Sequence, residues 1–212
     1  TFTMRWLIPR ISAFQRKRGG VEVKLTTSTA PVSFDDRIYD VAIRGSHQPI
    51  PGMLSVPFMT ETIVPICHPD LMENGQLDYP KLLANHTLIS YDTEPVSWSE
   101  WLSMASQPDL RVFHSLQFEQ MYFALQAAAE GLGVVLVPLF LVADDIIAGR
   151  MCAPFGLLGS RQRRYYANAS LSNHESPIIT GFCDWLLKEG QDTEQSIDQW
   201  SSAMGWTPSM PS

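Results

Sequence analysis

The longest nearly apolar run, Leu132 to Ala143, is too short to cross a bilayer and is interrupted by Pro138, so no membrane-spanning helix is expected. No charged segment followed by an apolar one opens the chain, and a cytoplasmic location is expected on that ground. Cysteine is scarce. Cys67, Cys152 and Cys183 are odd in number, far apart and outside any CxxC spacing, which favours reduced thiols over a disulfide framework. Positive charge is short as well: 15 Lys and Arg against 22 Asp and Glu leave a net charge of −7, the wrong sign for gripping phosphate backbones through this chain. The two basic clusters, Arg16-Lys17-Arg18 and Arg161 to Arg164, read as solvated faces.

Signatures of catalysis are missing too. There is no lysine loop for phosphates, no GxSxG elbow and no HExxH. Gly131-Leu132-Gly133 follows a predicted helix and precedes a predicted strand, the reverse of a dinucleotide loop, and no third glycine follows. Asp35-Asp36 and Asp144-Asp145 are adjacent acids, which point apart on a helix or strand. The histidines at 47, 68, 86, 114 and 174 have no ligand spacing, and Cys67-His68 is a poor chelating pair at a strand end. The chain is therefore read as no enzyme, with no metal and no cofactor.

What is present is an ordinary folding composition, with 45% apolar residues in 212, enough for one sizeable core or two small ones. The most informative stretch runs from Phe118 to Pro138. Met121, Leu125, Ala128 and Leu132 fall at helical spacing, Gly131 and Gly133 stop the helix, and Val134 to Val137 read as a strand covered on both faces. A helix feeding such a strand means an α/β layered fold. The first turn of that helix, placed around Phe118, Glu119 and Gln120, offers free N–H groups of the kind that face ligands.

Along the rest of the chain the patterns predict helices over Trp6–Arg18, Asp78–Leu83, Trp98–Met104, Leu139–Ala148 and Ser176–Lys188, with one or two helical turns within Val32–Tyr39. They predict strands over Val21–Thr26, Asp40–Arg44, Glu61–Cys67, Thr87–Tyr91, Arg111–His114, Met151–Phe155 and Arg163–Leu171. This grouping fits two small α/β lobes, with a crossover near Cys67 and a return near Arg163, around a cleft able to take a small molecule. The lobe boundaries are drawn at residues 1–67 with 169–190, and at 68–168. Gln191 to Ser212 is expected to be at least partly flexible. Polar groups at predicted strand ends and helix starts, namely Thr1, Thr3, Thr27, Ser28, Arg44, Tyr91, Gln120, Tyr165 and Asn168, mark a ligand site, although hydroxyls there also serve as caps and turn residues.

The opening Thr1-Phe2-Thr3-Met4-Arg5-Trp6-Leu7-Ile8-Pro9-Arg10, the strand Tyr39-Asp40-Val41-Ala42-Ile43-Arg44-Gly45, the stretch Phe118 to Pro138, and Gly149-Arg150 followed by Ala153-Pro154-Phe155 together resemble the effector-binding domain of LysR-type transcriptional regulators. The resemblance covers roughly Thr1 to Lys188 and is strongest to the subgroup of the glycine-cleavage activator and the β-lactamase regulator. It implies two Rossmann-like lobes joined by two crossover strands, a periplasmic-binding-protein-like fold of type 2, with a small effector between the lobes. It further implies a homodimer or homotetramer, and DNA binding through an N-terminal winged helix-turn-helix that this chain lacks, so the chain is read as a fragment of a longer regulator. The resulting effector-binding set is Thr1, Phe2, Thr3, Thr27, Ser28, Arg44, Tyr91, Phe118, Glu119, Gln120, Tyr165 and Asn168. Arg44 and the helix start favour an anion, and Glu119 an ammonium, so an anionic or zwitterionic effector is expected. A solute-binding receptor for transport is the alternative that the same fold allows.

Overall fold

A computed structural model describes residues 1–36, 38–72, 79–111, 113–158, 161–173 and 175–206. After a π-helical turn at Thr3–Leu7, the elements are α1 (Ile8–Lys17), β1 (Val41–Ser46), β2 (Met53–Ile66), α2 (Tyr79–Asn85), β3 (Leu88–Tyr91), α3 (Trp98–Met104), β4 (Ser115–Phe118), α4 (Met121–Ala129), β5 (Val134–Pro138), α5 (Ala143–Ile147), β6 (Arg161–Ser170) and α6 (Pro177–Ala203). Hydrogen bonds link the strands in the order β1-β6-β2-β5-β3-β4. β1 is antiparallel to β6 and β2 to β5, whereas β3 is parallel to both β4 and β5. The sheet is thus mixed, as an α/β layered fold allows.

The chain divides into two compact units. One comprises Phe2–Glu61 with Arg163–Asp198, and the other Thr1, Thr62–Gln162 and Gln199–Ser212. In the first, α1 and α6 meet through Phe14, whose ring lies 5.1 Å from Phe182 and 5.4 Å from Trp185. Trp6, Leu7 and Phe58 are buried in the same unit. In the second, Ile63, Cys67, Leu83, Leu88, Trp98, Trp101, Val134 and Leu136 belong to one buried cluster. α3 starts cleanly because Ser97 and Glu100 form a reciprocal capping box, which satisfies two of the helix's orphan N–H groups. The Trp98 indole donates to the Ile89 carbonyl at 3.0 Å and locks that helix on β3.

Several elements differ from expectation. Val21–Thr26 alternates like a strand, and Val21 and Val23 are indeed the less exposed positions, but no strand among the described residues pairs with it, and a strand without a ladder does not persist. No helix forms in the described part of Val32–Tyr39. The strand expected at Arg111–His114 lies at Ser115–Phe118, in register with Leu88–Tyr91, so Phe118 closes a strand instead of opening a helix. Met151–Phe155 contributes only a single bridge between Cys67 and Cys152. Leu132 is 55% exposed, because α4 ends at Ala129 and Gly131 turns the chain at φ +78° before the apolar spacing reaches it. Residue 78, with which the second predicted helix opens, and His174 lie outside the described residues.

The largest difference is at the C-terminus. The final helix does not end at Lys188 but runs through Gly190 to Ala203, with Thr193 and Ser201 buried. The ring of Trp206 then lies 4.9 Å from that of Trp200 and over Gly156, so the segment expected to be at least partly flexible is helical as far as Ala203. Residues 207–212 lie outside the described residues. Gly190 is needed where it stands, since a Cβ there would collide with the Phe58 carbonyl of β2. Replacing glycine by alanine in an exposed helix gains about 1 kcal/mol. Gly190→Ala should instead lose about 2 kcal/mol by overpacking, lowering the urea midpoint with an unchanged m value. A midpoint equal to or above that of the native chain would show that α6 moves off β2 at no cost.

Candidate functional site

In the first unit the chain start, β2 and β6 bring four aromatic rings together. Phe2 stacks on Trp6 at 5.2 Å and on Tyr165 at 5.1 Å, and meets Phe58 edge-on at 6.2 Å. Such pairs add about 0.5–1.5 kcal/mol each to area burial. The Trp6 indole donates to the Thr193 hydroxyl at 3.1 Å, and that hydroxyl donates to the Glu189 carbonyl at 2.8 Å. The Arg10 guanidinium lies 5.0 Å from the Trp6 ring centroid and also donates to the Trp6 carbonyl. The opening TFTMRWLIPR thus holds itself to α6.

Beside this cluster lies a buried charged pair that the sequence pattern does not single out. Glu61 is 2% exposed, and the Arg163 Nε stands 3.4 Å from its Oε2, without the alignment of a hydrogen bond. Arg163 also donates to the Gly45 carbonyl. A Cβ on Gly45 would meet Glu61 Oε2 at 3.1 Å, the Tyr165 ring at 3.2 Å and Arg163 Nη2 at 3.4 Å, so any larger residue would make the pair and the ring give by a few tenths of an ångström. Burial pushes the Glu61 carboxyl up to about 7, partly offset by the Arg163 charge. The Tyr165 hydroxyl is raised as well, by burial first and then by the Glu61 charge, against Arg163 and Arg44. The sequence shows only Glu61 as an acid just ahead of the apolar Ile63–Ile66 end of β2, with no local mark of its partner.

The other expected residues of this unit fall into two kinds. Asn168 is fully buried, with both amide hydrogens donated to the Ala42 and Tyr166 carbonyls at 3.1 and 3.2 Å and its oxygen accepting from Ser55 at 2.6 Å. Arg44 donates to the carbonyls of Ser28 and Ala30 at 2.9 and 3.3 Å and to that of Ile43. It therefore pins the hydroxyl-rich loop. Thr27 and Ser28 are exposed, the Ser28 hydroxyl accepting from the Ala30 N–H at 3.1 Å, and Thr3 opens the π-helical turn half-buried.

In the second unit, Tyr91 and Phe118 pair across the parallel strands β3 and β4. Tyr91 is buried and its hydroxyl donates to the Leu136 carbonyl at 3.1 Å. The Phe118 carbonyl accepts from the Asp92 N–H, and the Gln117 amide donates to the Asp92 carboxylate. Glu119 and Gln120 follow, both exposed. Gln120 is the N-cap of α4 without a side-chain cap, its carbonyl accepting from the Phe123 and Ala124 N–H groups. Thr1, half-buried, is assigned to this unit. Among the described residues no cluster of His, Cys, Asp and Glu could hold a metal ion, and no helix is long and apolar enough to cross a membrane.

A mixed six-stranded α/β sheet in two compact units is the architecture of domains with a type 2 periplasmic-binding-protein-like fold. Within that class, the family model described as the LysR substrate binding domain matches residues 1–191, and the chain belongs to that family. The HTH-type transcriptional regulator PerR of Escherichia coli is 30% identical over 194 residues, covering 89% of this chain and 63% of that protein. The glycine cleavage system transcriptional activator of the same organism is 28% identical over 201 residues, covering 93% and 65%. The chain thus spans a little under two thirds of the length of these relatives. Among solved structures, the effector domain of the transcriptional regulator AmpR of Pseudomonas aeruginosa superposes with a TM-score of 0.77 at 24% identity, over 92% of this chain and 94% of that one.

The raised Glu61 group has a sign that can be checked. Below about pH 4.5 the carboxyl is protonated in both folded and unfolded chains, and above about pH 7 it is ionised in both. In between, the folded state holds a proton that the unfolded state has released, so stability falls as pH rises through this window, by about 3 kcal/mol at about 1.4 kcal/mol per unit. Glu61→Gln has no such proton to lose. Urea titrations at about pH 4.5 and about pH 8 should show the variant gaining about 3 kcal/mol on the native chain. A difference that does not change with pH would mean that the carboxylate is solvated in the folded state.

Proposed function

We propose that this chain is the ligand-sensing domain of a LysR-type transcriptional regulator, which takes up a small anionic or zwitterionic effector and passes the signal to DNA-binding domains elsewhere in the full-length protein. The observation that carries this reading is the family match over residues 1–191. The named relatives are transcriptional regulators and not enzymes, and the acidic balance of the chain agrees with DNA contact lying outside it.

Binding falls to the groups that the fold leaves available. Thr27 and Ser28 present hydroxyls on a loop fixed by Arg44, and Gln120 opens α4 with first-turn N–H groups suited to a carboxylate. Glu119 beside it suits an ammonium. Phe2, half-buried and backed by the buried Tyr165 ring, supplies an aromatic wall, with Thr1 and Thr3 beside it in the chain. Tyr91, Phe118, Arg44 and Asn168 act by holding these groups in place. The regulator works as a homodimer or homotetramer in the cytoplasm, where effector binding shifts the population of its arrangements.

A thermal-shift screen against amino acids, small carboxylates and cell-wall peptides tests this. A ligand present at about 100 times its Kd stabilises the folded state by about 2.7 kcal/mol, roughly 5–10 °C in melting temperature for a domain of this size. Thr27→Ala and Gln120→Ala should each reduce the shift for that ligand while leaving the melting temperature without ligand within about 1 °C. A hit that neither substitution weakens would place the ligand elsewhere, and the absence of any shift would overturn the sensing role for these compounds.

A further inference from the structure

Two of the three cysteines, 85 positions apart in sequence, meet within the second unit. Cys67 follows the last residue of β2 and Cys152 follows α5, and each donates its N–H to the other's carbonyl, at 3.0 and 2.9 Å. They form a hydrogen-bonded antiparallel bridge, a pairing that sets Cα atoms about 5.5 Å apart, near the centre of the range that disulfides span. Their sulfurs are 3.5 Å apart and both thiols are free. Bonding the two sulfurs takes rotation of the two side chains and a small approach of the two backbone segments, since a hydrogen-bonded pair holds its Cβ atoms slightly wider than a disulfide does. The two sulfurs differ in access: Cys67 is fully buried in the core cluster, whereas Cys152 is half-buried at its edge.

We propose that Cys67 and Cys152 form a reactive dithiol that a hydroperoxide converts into an intramolecular disulfide, with Cys152 as the attacking sulfur and Cys67 as the resolving one. The Cys152 thiolate attacks the distal peroxide oxygen. An S–O bond forms, the O–O bond breaks, and the leaving alkoxide takes up the proton that the Cys152 thiol released, departing as an alcohol, or as water from hydrogen peroxide. Cys67 then attacks the sulfenic sulfur, the S–S bond forms, the S–O bond breaks, and hydroxide leaves with the Cys67 proton as water. Two thiols are oxidised and one peroxide is reduced. The order of attack follows from the geometry. Cys152 is the more accessible sulfur, and the sulfur–sulfur contact lowers its thiol against its own burial, while the same contact and burial raise that of Cys67, so Cys152 is the one that ionises first to attack. The product ties the end of β2 to the segment after α5, giving this unit an oxidation-sensitive tie independent of any effector.

The reduced chain is treated with hydrogen peroxide under native conditions, quenched, denatured and titrated for thiols, with peptide mapping of the product. The expected fall is from three titratable thiols per chain to one, with a Cys67–Cys152 cross-linked peptide and full recovery after dithiothreitol. Cys183→Ser should still lose two thiols. Cys67→Ser should leave a sulfenic acid on Cys152 that dimedone traps, and that variant's thermal melt shows whether it is folded. Retention of three thiols in the native chain would overturn the proposal. So would a loss that dithiothreitol does not reverse, a cross-link between chains, or protection by Cys183→Ser.

Discussion

The second unit depends on one strand that has no exposed residue. All five positions of β5 are buried, and every peptide group in such a strand must find a partner on one edge or the other. β2 supplies an antiparallel edge through Ile63 to Ile66, and β3 a parallel one through Leu88 and Ile89. Neither neighbour could be displaced without leaving backbone groups unpaired inside the core, a cost of about 1–3 kcal/mol each. The parallel pairing in turn demands a crossover between β3 and β5, and α3, β4 and α4 fill it. The two glycines before β5 make the entry possible: Gly131 takes the positive φ that ends α4, and Gly133 lies so close to the Thr87 carbonyl that no Cβ fits. That carbonyl accepts the Val134 N–H at 2.9 Å, so the close approach is itself part of the ladder.

The first unit is held on different terms. Its aromatic cluster is ordinary apolar packing, but Glu61 and Arg163 put charge beside it where burial opposes ionisation. Buried pairs of this kind are poor sources of stability, and removing one partner strands the other. What the pair does here is geometric. Arg163 reaches the Gly45 carbonyl of β1 from β6 while facing a carboxylate on β2, so three strands share one polar contact. Asn168 repeats the arrangement, joining Ala42 of β1, its own strand β6 and Ser55 of β2. The alignment of β1, β6 and β2 is thus fixed by side chains as well as by the ladder, since a one-residue slip would turn Glu61 and Asn168 to the opposite face.

How far the sequence reveals this follows from range. α3, β3, β5 and the Gly131–Gly133 stop are legible because their signals are local: periodicity, caps and positive-φ glycines. β2 is recognised only in its second half. Met53 to Thr60 mixes apolar and polar residues around Pro57, and only the placing of β6 beside it makes those residues a strand. α6 is cut short at Gly190 for the same reason, because glycine in a sequence signals a stop, whereas here it answers a carbonyl of Phe58, 132 positions earlier. Position at predicted element ends marks Thr27, Ser28 and Gln120, which are exposed, and equally Asn168 and Tyr91, which are buried and bonded within the protein. Those two are polar because the sheet requires it. For the Glu61–Arg163 pair and the Cys67–Cys152 contact the sequence shows at most one partner locally, since the two contacts join residues 102 and 85 positions apart.

The division between holding and presenting groups bears on specificity. Arg44, Asn168 and Tyr91 are engaged within the protein, so they can shape a loop or a strand end but offer a ligand little of their own. The groups left are short hydroxyls, an exposed amide and backbone N–H groups. If a bound effector buries them, such donors discriminate by position more than by charge, because each hydrogen bond then lost leaves a polar group unpaired at about 1–3 kcal/mol. Their precision is therefore inherited from the residues that hold them: the Ser28 loop is only as well placed as Arg44 makes it. If the proposed sensing role holds, a change in effector preference is expected from substitutions at Thr27 or Gln120, whereas loss of Arg44 would release the loop that it pins and weaken every effector alike.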